Sequence, residues 1–395
     1  MLKDADKALL PEGLRDGLPP AAERQAVLVA TLMATFASAG YQQVAPPLIE
    51  FEDSLLAGSG AAQARHMFRL MDPVSHRMMA VRADITLQVA RIAATRLAAA
   101  PRPLRLSYAG PVLRVRGSQI RPEREVVQAG FELIGSPERA ADLEVLLLAV
   151  EALSGLGISG LVVDITIPPL VPAVLAGTDM DAASVMRIRK ALDAKDTVAL
   201  GAIPDVPGAP LLALIDACGP ADVALTRLSH LDLDAGPRAL CEQLAGFITE
   251  VRAAAPDITL TIDAVESRGF EYYSGIGFAL FAQGQRGELG RGGRYTIDRG
   301  TGDRGTGDGE TAVGFTVYVD SLARAVPAHE PARRLYLPFG TDAGVARNLR
   351  AEGWRTVQGL APEAGGKVGD AARRLGCGHA FIDGAPKVLE GARSS

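Results

Sequence analysis

Alternating polar and apolar residues mark a hairpin in the first half of the chain. Residues 104–115 and 124–134 are two β-like runs whose connection is rich in Gly, Ser and Pro, a pattern typical of an antiparallel hairpin. In the second run Gln128, Gly130 and Glu132 share one face, because side chains alternate with a period of two. This pattern allows two interpretations. A glycine between an amide and a carboxylate leaves room for a ligand to lie against the sheet. Alternatively, the three residues form the solvated polar face of an ordinary strand.

Helical periodicity appears on both sides of this hairpin. Residues 20–39 predict a helix that Gly40 ends, and residues 41–51 are held extended by two consecutive prolines. Residues 67–98 predict a second hairpin followed by an amphipathic helix, and residues 138–155 predict a further helix. Strand-like and helical segments therefore alternate through the first 155 residues.

The second half of the chain changes character. Residues 170–250 are rich in Leu and Ala and predict an inserted helical subdomain within a main domain that covers residues 1–325. Its predicted helices lie near 209–218, 220–230 and 236–252. Residues 298–310 contain a short repeat and almost no hydrophobic residue, which predicts a flexible loop. Residues 331–395 predict a small, separate α/β unit.

Composition narrows the class of protein. The chain has 395 residues, of which 48% are hydrophobic and 22% charged, as in an ordinary globular protein of two or three domains. A net charge of −5 argues against a protein that holds a large nucleic acid such as tRNA. The three cysteines are far apart and predict buried apolar fillers. Without a signal-peptide core or a membrane-length apolar run, we expect a cytoplasmic protein with no metal or other cofactor.

Two polar residues at the start of the amphipathic helix allow two interpretations. Asp84 and Thr86 are suitable helix N-caps, since a side-chain oxygen there accepts from an unpaired backbone N–H. Alternatively, the same oxygens bind an ammonium group of a ligand. The sequence alone favours the cap.

Polar and aromatic groups are also concentrated in residues 266–281. Tyr272 and Tyr273, together with a neighbouring carboxylate, suit a neutral imidazole ring, which needs one donor and one acceptor. Arg268 suits a carboxylate or a phosphate, because its guanidinium binds two oxygens at once. The alternative is a twisted strand with aromatic packing.

Several segments in the same order resemble one family. The hairpin resembles motif 2 of class II aminoacyl-tRNA synthetases, and its end, QAGFELIG, resembles the histidyl-tRNA synthetase version. The segments ESRGFEYYSGIGFALF (266–281) and GRGGRYTI (290–297) resemble two histidine-specific segments of that family, and the resemblance extends over roughly residues 10–325. It implies an α+β fold, in which helices flank an antiparallel sheet and a helical insertion is present. Residues 20–51 resemble motif 1, which builds a dimer interface, and the C-terminal unit resembles the start of an anticodon-binding domain.

The resemblance further implies a histidine-binding site. The residues that it places there are Asp84, Thr86, Arg114, Gln128, Glu132, Arg268, Tyr272 and Tyr273. In the family the position of Asp84 carries a glutamate that binds the α-amino group of the amino acid. Here the acid is one methylene shorter.

At the family's ATP site the sequence departs from the pattern in three places. Motif 2 normally has an acid two residues after its arginine, where this chain has Arg116, and Val126 replaces the aromatic residue under the adenine. Motif 3 normally has an arginine at the start of its helix. Here Asp320 and Ser321 stand there, and Arg324 lies about one turn further on. Because such cations stabilise the transition state of activation, the sequence predicts that aminoacylation has been lost.

The candidate histidine-binding residues are present, whereas the ATP-binding pattern is not. This combination resembles another branch of the family, the regulatory subunits of ATP phosphoribosyltransferase. That resemblance implies a non-catalytic chain with a homodimeric synthetase-like core, which forms a hetero-octamer with the short catalytic subunit. The complex performs the first step of histidine biosynthesis under feedback control by L-histidine. Whether histidine binds the old pocket or the subunit interface stays open. The alternatives are an active histidyl-tRNA synthetase and a freestanding histidine sensor.

Overall fold

The β-like runs of the sequence pair into one large sheet. The computed structural model describes residues 9–56, 64, 66–117, 121–266, 273–297, 309–327, 333–363 and 367–389. Its first twelve strands are β1 (Gln42–Gln43), β2 (Ile49–Phe51), β3 (Arg69–Met71), β4 (Met78–Val81), β5 (Leu104–Leu113), β6 (Glu125–Ile134), β7 (Leu161–Thr166), β8 (Gly219–Pro220), β9 (Thr259–Asp263), β10 (Tyr273–Ala282), β11 (Gly290–Ile297) and β12 (Glu310–Tyr318). Within these residues, nine strands form a sheet in the order β1-β5-β6-β12-β11-β10-β7-β9-β8. The pairs from β5 to β7 in this order are antiparallel, as the predicted α+β fold requires.

Helices pack against both faces of this sheet. The helices of the same unit are α1 (Ala21–Ser38), α2 (Glu52–Leu55), α3 (Thr86–Thr95), α4 (Arg139–Ser154), α5 (Leu170–Leu175), α6 (Ala182–Asp193), α7 (Thr197–Gly201), α8 (Gly208–Asp216), α9 (Ala221–Ser229), α10 (Ala235–Ala254) and α11 (Val319–Ala325). Leu32 and Phe36 of α1 are fully buried, and the ring centre of Phe36 lies 4.7 Å from that of Phe131 on β6. Burial of this aromatic cluster fixes α1 and α4 against the hairpin.

The predicted hairpin forms as β5 and β6. Its register pairs Leu104 with Ile134 and Leu113 with Glu125. The two faces of β6 divide as the alternation predicts, because Phe131 packs in the core beneath α1 and α4 while Gln128 and Glu132 lie on the opposite face. That opposite face, which we call the polar face, is where the predicted site residues of β6 lie.

The helical insertion consists of α5 to α10, from Leu170 to Ala254. Its three predicted helices match α8, α9 and α10 to within a few residues, whereas α6 and α7 were not separately predicted. The predicted hairpin in residues 67–98 forms as β3 and β4, and β2 adds a third strand to it. The loop predicted over 298–310 lies, for residues 298–308, outside the described residues.

The chain divides into two compact units, Met1–Val326 and Pro327–Ser395. The second unit contains β13 (Arg334–Leu337), α12 (Ala343–Ala351), β14 (Arg355–Gln358), α13 (Val368–Arg374), β15 (His379–Ile382) and β16 (Ala385–Val388). The order of the described strands is β14-β13-β15-β16, with β16 antiparallel at one edge. Strands and helices alternate through the described part of this unit up to β15, as the predicted α/β class requires, and β16 follows directly. No helix in the described part of the chain is long and apolar enough to cross a membrane.

Candidate functional site

A row of paired residues crosses the polar face from β6 to β7. Glu132 lies opposite Gly314, which pairs with Gly293, then Gly277 and finally Thr166. Directly paired residues point to the same side of a sheet, so the row is a glutamate and a threonine separated by three positions without side chains. A Cβ atom at Gly314 would lie 1.7 Å from Oε2 of Glu132, so the carboxylate occupies the space above that glycine.

The carboxylate of Glu132 is enclosed by hydroxyl groups. Only 1% of the residue is exposed, and its two oxygens accept hydrogen bonds from Tyr108 (3.2 Å) and Tyr295 (3.0 Å). Burial raises the pKa of Glu132 to about 8, although hydrogen bonds from Tyr295, Thr86 and Tyr108 oppose the shift. The group therefore exists largely as a neutral acid near pH 7 and gains charge readily when a cation approaches.

A cluster of hydroxyl groups lies next to Glu132. The Tyr108 hydroxyl is 2.6 Å from Oγ1 of Thr316 and 3.0 Å from Oγ1 of Thr86. A Cβ atom at Gly130 would lie 2.5 Å from the same tyrosine hydroxyl. The space that the sequence predicted for a ligand above Gly130 is therefore filled by Tyr108, and that part of the prediction is wrong.

Asp84 and Gln128 bind each other beside the start of α3. The Gln128 amide donates to Oδ2 of Asp84 at 2.8 Å, and its oxygen accepts from the backbone N–H of Ile85 at 3.1 Å. Oδ1 of Asp84 accepts from the backbone N–H of Thr86 at 2.9 Å. Since α3 begins at Thr86, this residue is not its N-cap, whereas Asp84 does supply a capping-type hydrogen bond. The second oxygen of Asp84 remains part of the polar face, so capping and ligand binding are compatible.

Arg114 lies at the Gln128 end of the site and not beside Glu132. Its guanidinium carbon is 5.7 Å from the ring centre of Tyr318, and Tyr318 pairs directly with Gln128. Gln128 and Glu132 are four residues apart on β6, or roughly 13 Å. The predicted cation and the buried carboxylate therefore stand at opposite ends of the site.

Two described arginines near the family's triphosphate position lie close to acids. Arg121 is 3.3 Å from Oε1 of Glu288, and Arg324 is 3.9 Å from Oε1 of Glu123. Asp320, at the predicted motif 3 position, accepts from the backbone N–H of Val127 at 3.0 Å and from Arg15 at 3.3 Å. Ser321, the next residue of α11, is buried, and its hydroxyl oxygen accepts a hydrogen bond from Arg324 at 3.3 Å. The first turn of this helix therefore carries an acid and a hydroxyl group and no arginine.

The histidine-specific segment is described only in part. Arg268 and Tyr272 lie outside the described residues, and Tyr273 begins β10 opposite Tyr295 of β11. The binding roles of all eight predicted residues stay predictions.

Several residues of the site were not predicted from the sequence. Tyr108, Thr316 and Tyr295 complete the surroundings of Glu132. The resemblance of GRGGRYTI to the family could have pointed to Tyr295. Tyr108 and Thr316 come close to Glu132 only through the register in which β5, β6 and β12 pair, which the sequence does not reveal.

Acidic groups continue along the polar face beyond Thr166. Asp263, which pairs with Thr166, accepts from the side chains of Lys195 and Cys218 and from the backbone N–H of Val265 and Glu266. The prediction that all cysteines are apolar fillers is therefore wrong for Cys218, whose thiol lies 3.3 Å from the Asp263 carboxylate. Burial, followed by the charge of Asp263, raises the pKa of this thiol to about 12, so it is unreactive at neutral pH. No group of three or more His, Cys, Asp or Glu side chains suited to a metal occurs among the described residues.

Comparison with known proteins agrees with this geometry. The histidyl-tRNA synthetase family matches residues 13–322. The chain is 51% identical over 377 residues to the ATP phosphoribosyltransferase regulatory subunit of Rhodospirillum centenum, covering 95% of each chain. A solved structure from Bacillus halodurans, described as an ATP phosphoribosyltransferase regulatory subunit/histidyl-tRNA synthetase, matches with a TM-score of 0.80 and 23% identity, covering 94% of this chain and 97% of the other.

A chain of the ATP phosphoribosyl transferase (HisG:HisZ) complex from Thermotoga maritima shares the fold, with a TM-score of 0.58 and 18% identity over 75% of this chain and 97% of that one. One conclusion follows from the synthetase-like sheet and the high identity to the Rhodospirillum centenum protein. The chain belongs to the ATP phosphoribosyltransferase regulatory subunit family, a branch of the histidyl-tRNA synthetase-like proteins.

Proposed function

We propose that this chain is the non-catalytic regulatory subunit of ATP phosphoribosyltransferase and supports the first step of L-histidine biosynthesis. The observation that carries the proposal is 51% identity over nearly the whole length of a protein with that name. The Thermotoga maritima complex, which has the same fold in one of its chains, supports a catalytic ATP phosphoribosyltransferase as the partner. The chain does not itself transfer the phosphoribosyl group; it changes the conformational equilibrium of the subunit that does.

The site geometry argues against the synthetase alternative. Activation of an amino acid by ATP needs cations placed at the phosphates. Here the start of the motif 3 helix carries Asp320 and Ser321, and the two oxygens of Asp320 bind Arg15 and the Val127 N–H. The helix start therefore offers a triphosphate no cation.

L-histidine is the proposed effector, and the polar face is its proposed site. Glu132 and the hydroxyl groups of Tyr108 and Tyr295 offer both acceptors and donors for an imidazole ring. Asp84, half-buried at the other end of the site, offers an oxygen to the α-ammonium group. Arg268 and Tyr272 also belong to the proposed histidine-binding residues, although both lie outside the residues that the structure describes.

The proposed assembly is a hetero-octamer with the short catalytic subunit, built on a regulatory homodimer. The first unit would form the dimeric core through residues 20–51, which resemble motif 1. Val27, on the surface of α1, is 60% exposed in the isolated chain, and its burial by a second copy is favourable.

Reconstitution with a short ATP phosphoribosyltransferase tests the function. Mixing the two purified chains should form a stable complex with higher activity than the catalytic subunit alone, and L-histidine should inhibit it. ATP- and histidine-dependent pyrophosphate exchange by this chain would instead identify a synthetase. Histidine binding without any complex or activation would identify a freestanding sensor.

A further inference from the structure

Two methionines face each other at the end of the β3–β4 hairpin, which belongs to the three-stranded sheet and not to the sheet that carries Glu132. Met71, the last residue of β3, pairs directly with Met78, the first residue of β4. Such a pair lies on one side of the hairpin, with its Cβ atoms about 4.5–5.5 Å apart. Both side chains are open to solvent, 61% exposed at Met71 and 45% at Met78. Because each thioether side chain turns about three bonds, the two sulfur atoms can approach a common point outside the hairpin.

An imidazole ring lies close to this methionine pair. His76, in the loop between the two strands, stands two residues before Met78, so their Cα atoms are no more than about 7 Å apart. Its backbone has a φ of +55°, in the left-handed region that residues other than glycine seldom adopt. The imidazole is exposed and makes no hydrogen bond or ion pair with any residue that the structure describes. One end of the hairpin therefore carries two thioethers and one imidazole.

Hydrogen bonds hold the loop that carries His76 in one conformation. The carboxylate of Asp72 accepts from the backbone N–H of Val74 at 3.1 Å and from that of Ser75 at 3.2 Å. The backbone N–H of Asp72 donates to the carbonyl oxygen of Arg77, and that of His76 donates to the carbonyl oxygen of Asp72, both at 2.9 Å. A loop that is already ordered loses little conformational entropy when it binds a ligand.

The described acids beside the hairpin already have partners. Asp53 lies 3.5 Å from Arg77, Glu52 lies 2.7 Å from Arg69, and Asp72 accepts from its own loop. A hard cation such as Ca²⁺ or Mg²⁺ needs several oxygen ligands, and these carboxylates are engaged elsewhere. Thioether sulfur and imidazole nitrogen are the ligands that suit Cu(I).

We propose that Met71, Met78 and His76 bind one Cu(I) ion. The ion takes a sulfur ligand from each strand and a nitrogen ligand from the loop, and the softness of the two sulfurs selects Cu(I) over Zn²⁺ and over hard cations. Bound there, it joins the end of β3 to the start of β4. The inference is independent of the proposed function, because it concerns this chain without its partner.

Nuclear magnetic resonance on the full chain tests the inference, with carbon-13 labels in the methyl groups of its eight methionines. Cu(I) is added without oxygen and in the presence of ascorbate. We expect the methyl signals of Met71 and Met78 to shift together until they saturate, whereas Met186, which is 72% exposed on α6, should keep its signal in place. Zn²⁺ should move neither signal of the pair, because thioethers are soft ligands.

Variants measure the contribution of each ligand, in competition with a chromophoric Cu(I) chelator. Met71→Leu keeps the size of the side chain and removes the sulfur, so Cu(I) binding read at the Met78 methyl should weaken roughly tenfold or more. His76→Gln should also weaken it roughly tenfold or more. Met186→Leu and His230→Gln, which change an exposed methionine and an exposed histidine elsewhere, should leave it within about twofold.

Three outcomes would overturn the inference. They are unmoved Met71 and Met78 signals at saturating Cu(I), equal affinities of the two leucine variants, and equal affinities of the two glutamine variants. Cu(I) held only by one of the three cysteines leaves both methyl signals in place and thus gives the first of these outcomes. Circular dichroism and thermal unfolding of each variant separate loss of binding from loss of the fold. Activity with the catalytic subunit, measured separately, decides the proposed function and is not used here.

Discussion

Glu132 lies opposite Gly314, and its carboxylate occupies the space that any side chain at position 314 would need. Gly314→Ala places a methyl group 1.7 Å from Oε2, so Glu132 must move away from Tyr295 and Tyr108. We expect a loss of about 1–3 kcal/mol in the free energy of unfolding, together with weaker histidine binding. Urea denaturation checks this. Gly236→Ala in α10 is the control, since nothing lies within 4 Å of a Cβ atom there, and it should not destabilise.

The hydroxyl group of Tyr295 holds the buried carboxylate. Tyr295→Phe removes a donor at 3.0 Å from Oε2 of Glu132 and leaves that oxygen unsatisfied. We expect a cost of about 1–3 kcal/mol in the free energy of unfolding. Tyr318→Phe, whose hydroxyl has no hydrogen-bond partner among the described residues, should cost less than about 1 kcal/mol. Equal costs for the two substitutions would contradict this account of Glu132.

The stability of the chain should depend on pH through Glu132. Because burial raises its pKa to about 8 in the folded state, the folded chain holds a proton between about pH 5 and 8 that the unfolded chain has released. The contribution of this proton to the free energy of unfolding is therefore complete below about pH 5 and is lost as the pH rises to 8. The free energy of unfolding falls by no more than about 1.4 kcal/mol per pH unit in this range. Glu132→Gln should flatten this part of the profile. Glu151→Gln, at an exposed position of α4, should leave it unchanged.

Histidine binding should require the carboxylate of Glu132. Glu132→Gln keeps the size of the side chain and one acceptor oxygen. It removes the carboxyl group, which would lose its proton and become negatively charged when a positively charged imidazolium ion binds. We expect roughly tenfold to hundredfold weaker binding of L-histidine by calorimetry. Glu132→Ala should abolish binding, although its cavity also destabilises the fold. Unchanged affinity in the glutamine variant would move the effector site to another surface, such as the interface with the partner.

Arg102 connects the C-terminal end of α3 to β12. Its guanidinium pairs with Glu310, of which only 5% is exposed, and donates to the backbone oxygens of Leu97 (2.9 Å) and Ala100 (2.8 Å). Arg102→Gln removes the cation that pairs with the buried Glu310 carboxylate, and we expect a loss of about 3–5 kcal/mol in the free energy of unfolding by urea denaturation. Arg139→Gln, which breaks an exposed pair with Glu250, should cost under about 1 kcal/mol.

The sequence predicted those parts of the fold that depend only on the spacing of apolar residues along one strand or helix. The alternation around Phe131 assigned each β6 side chain to the correct face, and the apolar spacing of α1 and α4 gave the helices that cover it. It failed where a contact depends on register between distant strands. Tyr108 fills the space above Gly130 because β5 pairs with β6 in one particular alignment, and no local pattern near Gly130 indicates this.

The carboxylate of Asp320 holds two parts of the chain together. It joins the N-terminal segment, through Arg15, to the backbone of β6, through Val127. An arginine at the neighbouring Ser321, which is buried, would need space that the packed start of α11 does not offer. We therefore expect such a substitution to weaken the scaffold on which β6 rests, and not to produce a working ligase.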